Sequence, residues 1–569
     1  MLLLGPLGGV TSAYMFFTVG FAVGGQVLAG ILGSVVTFGY GAEGKHGGNY
    51  IQTLAASVAS MAGMCVLIQA MVWMGMPMPA TWKLVLYFAC VGMFGIGVGM
   101  LYTPILVDRL QLEYPSGHAV ANILRALTDP KLLRRSIGRL GGGTAAGLGL
   151  AAVADRVHGV AAIGASPATI GAGLIVGSRI GVPAAVMAGI GWWLTPYLRE
   201  AGVLSAKDPF RKIGFLVGLA MIFSAGLVDL TFIAIEAVGR ARARRAAPPP
   251  ASQSGGLSTG RLALWIVGWG LALVLVATLL LDQPVGYVLL AIVLVFLFVF
   301  INGISQGISD WNPISSAFVV SVLTMSAIGL RDPTVAMMSA SVLLVSTIVG
   351  VDMQQDRSTG WRLGSKRAIQ FRYQAAGILM GAVLCVVLAE FFMSTNKVLR
   401  IDLFAHPEVD PGIFTSAMTY KFVGAIRGIG HLEAYHVKAL AIGLAIGLVL
   451  VLARRALAAS SGYQRLIRSG SRGFAIGWIV DAILLGSPYA SSTGGFLSMD
   501  VALWLAVGGV ASSLLAWYAA ARKRRGGAGD DLPADMSTTS LVGGGLIARE
   551  SLYALGDSIA LLLSRYLLK

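Results

Sequence analysis

The chain has 569 residues, 56% of them hydrophobic and 12% charged, with a formal net charge of +16, whereas an ordinary soluble domain is roughly 25% charged. That composition excludes a water-soluble fold, and the 75 glycines suit membrane helices, whose backbones approach closely through small residues; a membrane β-barrel would show short alternating segments, and the apolar runs here are long and unbroken. The basic residues stand in short clusters between apolar runs, as the positive-inside rule arranges them, with no nucleic-acid-binding motif beside them.

A helix rises about 1.5 Å per residue, so about 20 apolar residues cross the hydrocarbon core. Residues 1–42 carry no charge; as one helix they would be about 63 Å long, so two spans are predicted there, broken near Gly20 to Gly25. The apolar start has no basic flank or cleavage site and reads as a first span. Further spans are predicted at 50–75, 84–107, 141–157, 159–178, 180–198 and 213–237. Residues 239–261, GRARARRAAPPPASQSGGLSTGR, combine a basic cluster, a proline run and Ser/Gly, and read as a cytoplasmic linker. Beyond it, spans are predicted at 262–281, 284–306, 313–330, 334–351, 373–393, 437–453, 473–492, 500–521 and 541–566.

The expected fold is therefore all-α: a multi-pass protein of the cell membrane with about 16 transmembrane helices in two repeated halves, some helices broken or re-entrant. The halves are residues 1–238 and 262–569, joined by 239–261. Most basic clusters follow even-numbered spans and so collect on one side, which should be the cytoplasm; the exception is 199–212, with Arg199, Lys207, Arg211 and Lys212. Between the halves, GGNYIQTLAASVASMAG at 47–63 echoes SDWNPISSAFVVSVLTMSAIG at 309–329, which would make Asn49 and Asn312 equivalent. Each half then has a second polar segment, EYPSGHAVANIL at 113–124 and VDMQQDRSTGWRLGS at 351–365.

The 113–127 segment is no ordinary loop. Pro115 and Gly117 interrupt a helix, and Ser116, His118 and Asn122 set hydrogen-bonding groups beside freed backbone amides. Backbone of that kind survives at membrane depth only inside protein or beside a wet cavity, where substrate can bind. Intramembrane ionisable residues are costly and point to function; Asp229, Glu236, Asp310, Asp352, Glu390 and Asp481 qualify. Cys65, Cys90 and Cys385 lie far apart in apolar runs, so neither a disulfide nor a zinc site is implied. His431, Glu433 and His436 could form a metal triad, but they fall in 394–436, expected to be a solvated outer loop. No metal or other cofactor is expected.

The motifs together resemble a known family. Tyr114, Pro115, Ser116 and Gly117, followed by His118, look like the YPSGTA-type signature of the oligopeptide transporter family. ISDWNPISSAFVVSVL at 308–323 is similar to its Asn-Pro segment. Gln355, Asp356, Thr359, Gly360 and Gly364 match its Gln-Asp-x-x-Thr-Gly-x-x-x-Gly segment, and 543–563 is similar to its closing helix. The resemblance, to a prokaryotic-type member, implies a proton-driven importer of small peptides or metal chelates, a symporter embedded in lipid, with no nucleic-acid partner; a homo-oligomer is compatible with it. Substrate contacts are expected from Asn49, Gln52, Tyr114, Ser116, Gly117, His118, Asn122, Asn312 and Asp356, and proton coupling from Asp310, Asp356 and Glu390. The protein is not expected to be an enzyme. A channel, or an intramembrane enzyme using Ser116 with His118, remain the alternatives.

Overall fold

A computed structural model describes residues 3–20, 25–112, 114–156, 166–245, 258–309, 312, 314–427, 434–469, 471–524 and 538–567. Among the described residues all regular structure is helical, as the long apolar runs require once no water is present to satisfy the backbone. Nine described stretches are long and apolar enough to cross a membrane. The other expected spans are helical where they are described, but short, interrupted or more polar. They include Pro167–Val176, Ser178–Glu200, Ile314–Ala327, Pro488–Phe496 and Thr538–Leu567.

The expected break in the first 42 residues is present: one helix covers Leu4–Thr18, Gly20 has φ +86°, and a second covers Gly25–Thr37. By contrast, the polar segment at 351–365 is not a break. Pro333–Leu363 is one continuous helix, capped by Asp332 Oδ1 at its start and ended by Gly364 in the left-handed region. The polar side chains there bond to neighbouring helices, so the backbone keeps its own ladder. The linker begins later than expected, because the helix Arg211–Arg245 carries the basic cluster up to Arg245. Residues 246–257 fall outside the described ones.

The chain order of contacts repeats. Gly44–Ala62 packs on Arg367–Thr395, and Pro333–Leu363 packs correspondingly on Thr81–Thr103. Arg211–Arg245 packs on Ala434–Ala459, as Thr538–Leu567 packs on Pro130–Arg156; Pro167–Val176 lies on Met499–Arg524, and Pro488–Phe496 on Ser178–Glu200. The two sequence halves therefore interleave instead of forming separate bodies.

Two short helices show that the repeats are inverted. Pro115–Ala126 runs beside the last turns of Pro333–Leu363: Thr359 Oγ1 donates to Gly117 O at 3.0 Å, and Arg125 reaches the carbonyl of Arg362. Ala417–Arg427 runs beside Cys65–Trp73 in the same way, Thr419 Oγ1 bonding Gln69 Oε1 at 2.5 Å and Arg427 Nη2 bonding Trp73 O at 3.3 Å. Each is preceded by a left-handed residue, Tyr114 with φ 42° and Ser416 with φ 49°. The backbone N–H of Tyr114 donates to Gly307 O and that of Ser416 to Phe17 O. Since the two supporting helices run antiparallel, the two short helices enter from opposite faces. The counterpart of 113–124 is thus 416–427 and not 351–365. Likewise Gly44–Ala62, which carries Asn49, corresponds to Pro333–Leu363, so Asn49 and Asn312 are not equivalent. The crossing Thr259–Leu275, between the repeats, supplies the inversion.

Candidate functional site

On Gly44–Ala62 the polar residues Asn49, Gln52, Thr53, Ser57 and Ser60 recur every three or four positions and so share one face. On Pro333–Leu363, Asp352, Gln355, Asp356 and Thr359 do the same. The two faces meet. Gln52 Nε2 donates to Asp356 Oδ1 at 3.1 Å, and Ser60 Oγ donates to Asp352 Oδ2. From Arg367–Thr395, Gln370 Nε2 donates to Asp356 O at 2.7 Å and to Thr53 Oγ1 at 3.0 Å. From Val285–Ser309, Gln306 Nε2 donates to Gln355 Oε1. Tyr114 closes the group, its hydroxyl donating to Gly303 O at 3.1 Å.

The family-like glycines have physical reasons. A Cβ on Gly117 would lie 2.9 Å from Gln355 O, one on Gly360 would collide with Gln370 Oε1, and Gly364 has φ +76°. These positions let the short helix and the glutamines approach the Asp356 region.

Several buried polar atoms here have no partner among the described residues: both amide atoms of Asn49, Gln52 Oε1, Asp356 Oδ2, Gln306 Oε1, Gln374 Oε1 and Arg357 Nη2. Each such atom costs about 1–3 kcal/mol, so a cluster of them marks a place built to meet something polar. Asp352, whose Oδ2 accepts from Ser60 Oγ, is half-buried, unlike the other residues between Val335 and Gly360.

Arg357 is 1% exposed. Its Nη1 donates to Arg367 O, and its guanidinium lies 5.8 Å from the Phe371 ring centroid. Beyond it, Arg367 grips Asp108 with two hydrogen bonds, at 2.7 and 2.5 Å. Lys366 N donates to Tyr50 OH at 2.9 Å, and His46 Nδ1 lies 2.9 Å from Ser365 Oγ. This layer covers the polar group on the face where basic residues collect.

Of the residues expected from sequence, Asn49, Gln52, Tyr114, Gly117 and Asp356 come together. Ser116 and Asn122 are half-buried on the short helix that borders the group. Asn312 accepts from Asn302 Nδ2 at 3.0 Å, at the start of the Ile314–Ala327 half-helix. Two expectations need correction. His118 is exposed, because it falls on the helix face turned away from Gln355 and Thr359. Glu390 is also exposed and accepts from Thr81 Oγ1 at 2.7 Å, at the opposite end of its helix from Gln370. Asp310, the side chain of Glu236 and residues 428–433 of the His431/Glu433/His436 segment lie outside the described residues. Gln306, Gln355 in its bonding role, Gln370 and Gln374 were missed as site residues. Their signal was four glutamines in and beside otherwise apolar runs, where each needs a partner.

The fold and the polar group define an all-α, multi-pass membrane protein with a buried polar centre where interrupted helices meet. A family model described as OPT oligopeptide transporter protein matches residues 2–247 and 254–560, and the chain belongs to that family. It is accordingly a membrane transporter. No curated protein matches the chain.

Proposed function

We propose that the protein is a secondary active carrier that takes up small peptides, or metal chelates with peptide-like carboxylates and amines, together with protons. Cargo sits among Asn49, Gln52, Tyr114, Gln306 and Asp356, and Asp352 and Asp356 carry the coupling proton. The observation that carries this reading is Asp356: buried, held through one carboxylate oxygen by Gln52, with the other oxygen unpartnered beside equally unpartnered amides. A carboxylate in low dielectric readily takes a proton, and loses it when water reaches it.

Inverted repeats support alternating access, because either repeat can take the conformation of the other and open the centre to the opposite face. The half-helices entering from both faces bring their N-termini toward the centre, which favours an anionic cargo group. The layer formed by Arg367 with Asp108 closes one face in this state. A catalytic reading has less support, since Ser116 and His118 are two positions apart on a helix and point to different faces.

The test is uptake by purified protein in liposomes. A tripeptide or an iron chelate should accumulate when the outside is made acidic, and accumulation should collapse with a protonophore. Flux that is unsaturable and indifferent to the pH gradient would point to a channel and overturn the proposal.

A further inference from the structure

A second cavity lies on the other face, away from Arg367. Its volume is about 740 Å³, and its wall includes Trp192, Trp193 and Tyr197 from Ser178–Glu200, Arg211, and the carboxylates Glu408 and Asp410. The face is fixed by the loop that carries the two carboxylates. That loop ends in Ala417–Arg427, whose Arg427 bonds Trp73 O and Asp402, at the far end of the helix pair from Lys366 and Arg367. It is the face with fewer basic clusters, so the positive-inside rule makes it the outer one.

The charges of this cavity are arranged in an unusual way. Arg211 is only 7% exposed, yet among the described residues no carboxylate lies within ion-pair distance of it, Asp500 attracting it only from further off. Its guanidinium instead stacks on Tyr420, 4.7 Å from the ring centroid, and its Nη1 donates to Thr415 O at 3.3 Å. Arg199, also in the wall, spends its Nη2 on the carbonyl of Asp208 at 3.0 Å. Glu408 has His406 beside it, at 3.2 Å, with Lys207 acting on it from further off, and Asp410 accepts from Gly412 N at 2.9 Å. Both signs of charge thus line one cavity with no direct ion pair between them among the described residues. Ser498, which also lines it, has a buried hydroxyl with no partner among the described residues. A buried cation without a close counter-charge is costly, and a ligand that supplies one within hydrogen-bond distance relieves that cost.

We propose that this cavity is an outer capture site for a zwitterionic peptide, separate from the centre around Asp356. The C-terminal carboxylate goes to Arg211, Arg199 and the Ser498 hydroxyl, and the α-ammonium to Glu408 and Asp410. The aromatic wall takes the side chains between, without selecting among them. The inference rests on the peptide reading above and adds where cargo is first held. It accounts for the basic residues on the outer side at 199–212, which the topology rule leaves unexplained.

The experiment uses the full chain in lipid nanodiscs. A tripeptide such as Ala-Phe-Ala, its N-acetyl form and its C-terminal amide are titrated by calorimetry against wild type, Arg199→Gln and the double variant Glu408→Gln/Asp410→Asn. The variants alter solvent-facing groups, so the fold should persist. Each blocked peptide should bind wild type about tenfold more weakly. The acetyl penalty should vanish in the double variant, and the amide penalty should shrink in Arg199→Gln. End-blocking that matters equally in all three proteins overturns the proposal.

A readout without peptide separates this from failure of the transport reading. Iodide and caesium should both quench the fluorescence lost in Trp192→Phe/Trp193→Phe, with the iodide part reduced in Arg199→Gln and the caesium part in the double variant. Quenching that ignores these substitutions overturns the capture site whether or not the protein carries peptides. Quenching as expected, with no peptide bound anywhere, sinks the peptide reading and the capture site with it. Phosphatidylethanolamine carries the same two charges. If nanodiscs containing it abolish tripeptide binding, the cavity is a lipid site and the proposal fails.

Discussion

Asp356 and Gln52 form the contact on which the residue-scale reading depends. Asp356→Asn keeps an oxygen for Gln52 Nε2 to bond while removing the charge and the exchangeable proton. Uptake driven by a pH gradient should fall at least about tenfold, equivalent to about 1.4 kcal/mol, whereas the melting temperature should hold or rise, since a buried charge has been removed. A variant with unaltered pH-driven uptake would exclude Asp356 from coupling. Lys421 poses the opposite case. It is 6% exposed, its ammonium lies 4.5 Å from the Phe496 ring centroid, and no carboxylate is within ion-pair distance among the described residues. Lys421→Met should therefore raise the melting temperature by a few degrees, against about 0.5–2 kcal/mol lost with the cation–π contact; a clear fall would mean that the ammonium has a stabilising partner in solution. The aspartates could be read from sequence because a charge inside an apolar run stands out. Lys421 could not, because its short helix carries too little apolar length to look like part of the membrane domain.

That difference becomes sharper for whole elements. Long spans such as Thr81–Thr103 and Arg367–Thr395 were legible, since burial in lipid demands about 20 apolar residues in sequence. The helix Ala417–Arg427 was hidden inside 394–436, expected to be a solvated outer loop, yet residues 417–424 are buried. Only its inverted partner, Pro115–Ala126, carried enough punctuation in Pro115 and Gly117 to be seen. In both pairs the polar residue and the arginine stand eleven positions apart, Tyr114 with Arg125 and Ser416 with Arg427, a spacing that becomes meaningful only once the contacts are known. The continuous helix Pro333–Leu363 was misread in the other direction, because a run of polar residues looks like a break until their partners are visible. Its close crossing with Thr81–Thr103 depends on glycine. A Cβ on Gly99 would collide with the Gly350 carbonyl, and one on Gly95 would lie 2.7 Å from Ser346 Cα. Gly99→Ala should accordingly cost about 1–3 kcal/mol by overpacking, read as a lower midpoint in thermal unfolding in detergent, and Gly268→Ala, inside the helix Thr259–Leu275 with a Cβ that meets nothing within 4 Å, should hold or slightly raise it.

At the scale of the molecule, the helices sort into two groups that each draw on both halves of the sequence. One contains Leu4–Thr18, Gly44–Ala62, Thr81–Thr103, Pro333–Leu363 and Arg367–Thr395 and encloses the polar centre; the other contains Pro167–Val176, Ser178–Glu200, Arg211–Arg245, Ala434–Ala459, Met499–Arg524 and Thr538–Leu567. Contacts within each group are extensive, while among the described residues the bonds between groups are few and specific. Tyr14 OH donates to Glu550 Oε1 at 2.7 Å, where Glu550 also receives Ala168 N at 2.5 Å, and Asn396 Nδ2 donates to Ser558 Oγ at 3.3 Å. If cargo crosses because one group moves against the other, these seams must slide or part during each cycle. Binding alone should not need that movement. Asn396→Cys/Ser558→Cys places two thiols across one seam, and the native cysteines are buried. A short bis-methanethiosulfonate cross-link there should stop tripeptide uptake and counterflow while leaving the peptide-induced rise in melting temperature intact. Reduction should restore flux, and each single-cysteine variant should be indifferent to the reagent. Full-rate transport by the cross-linked protein would show that this seam stays fixed, and the moving boundary would then have to be sought within the group that surrounds Asp356.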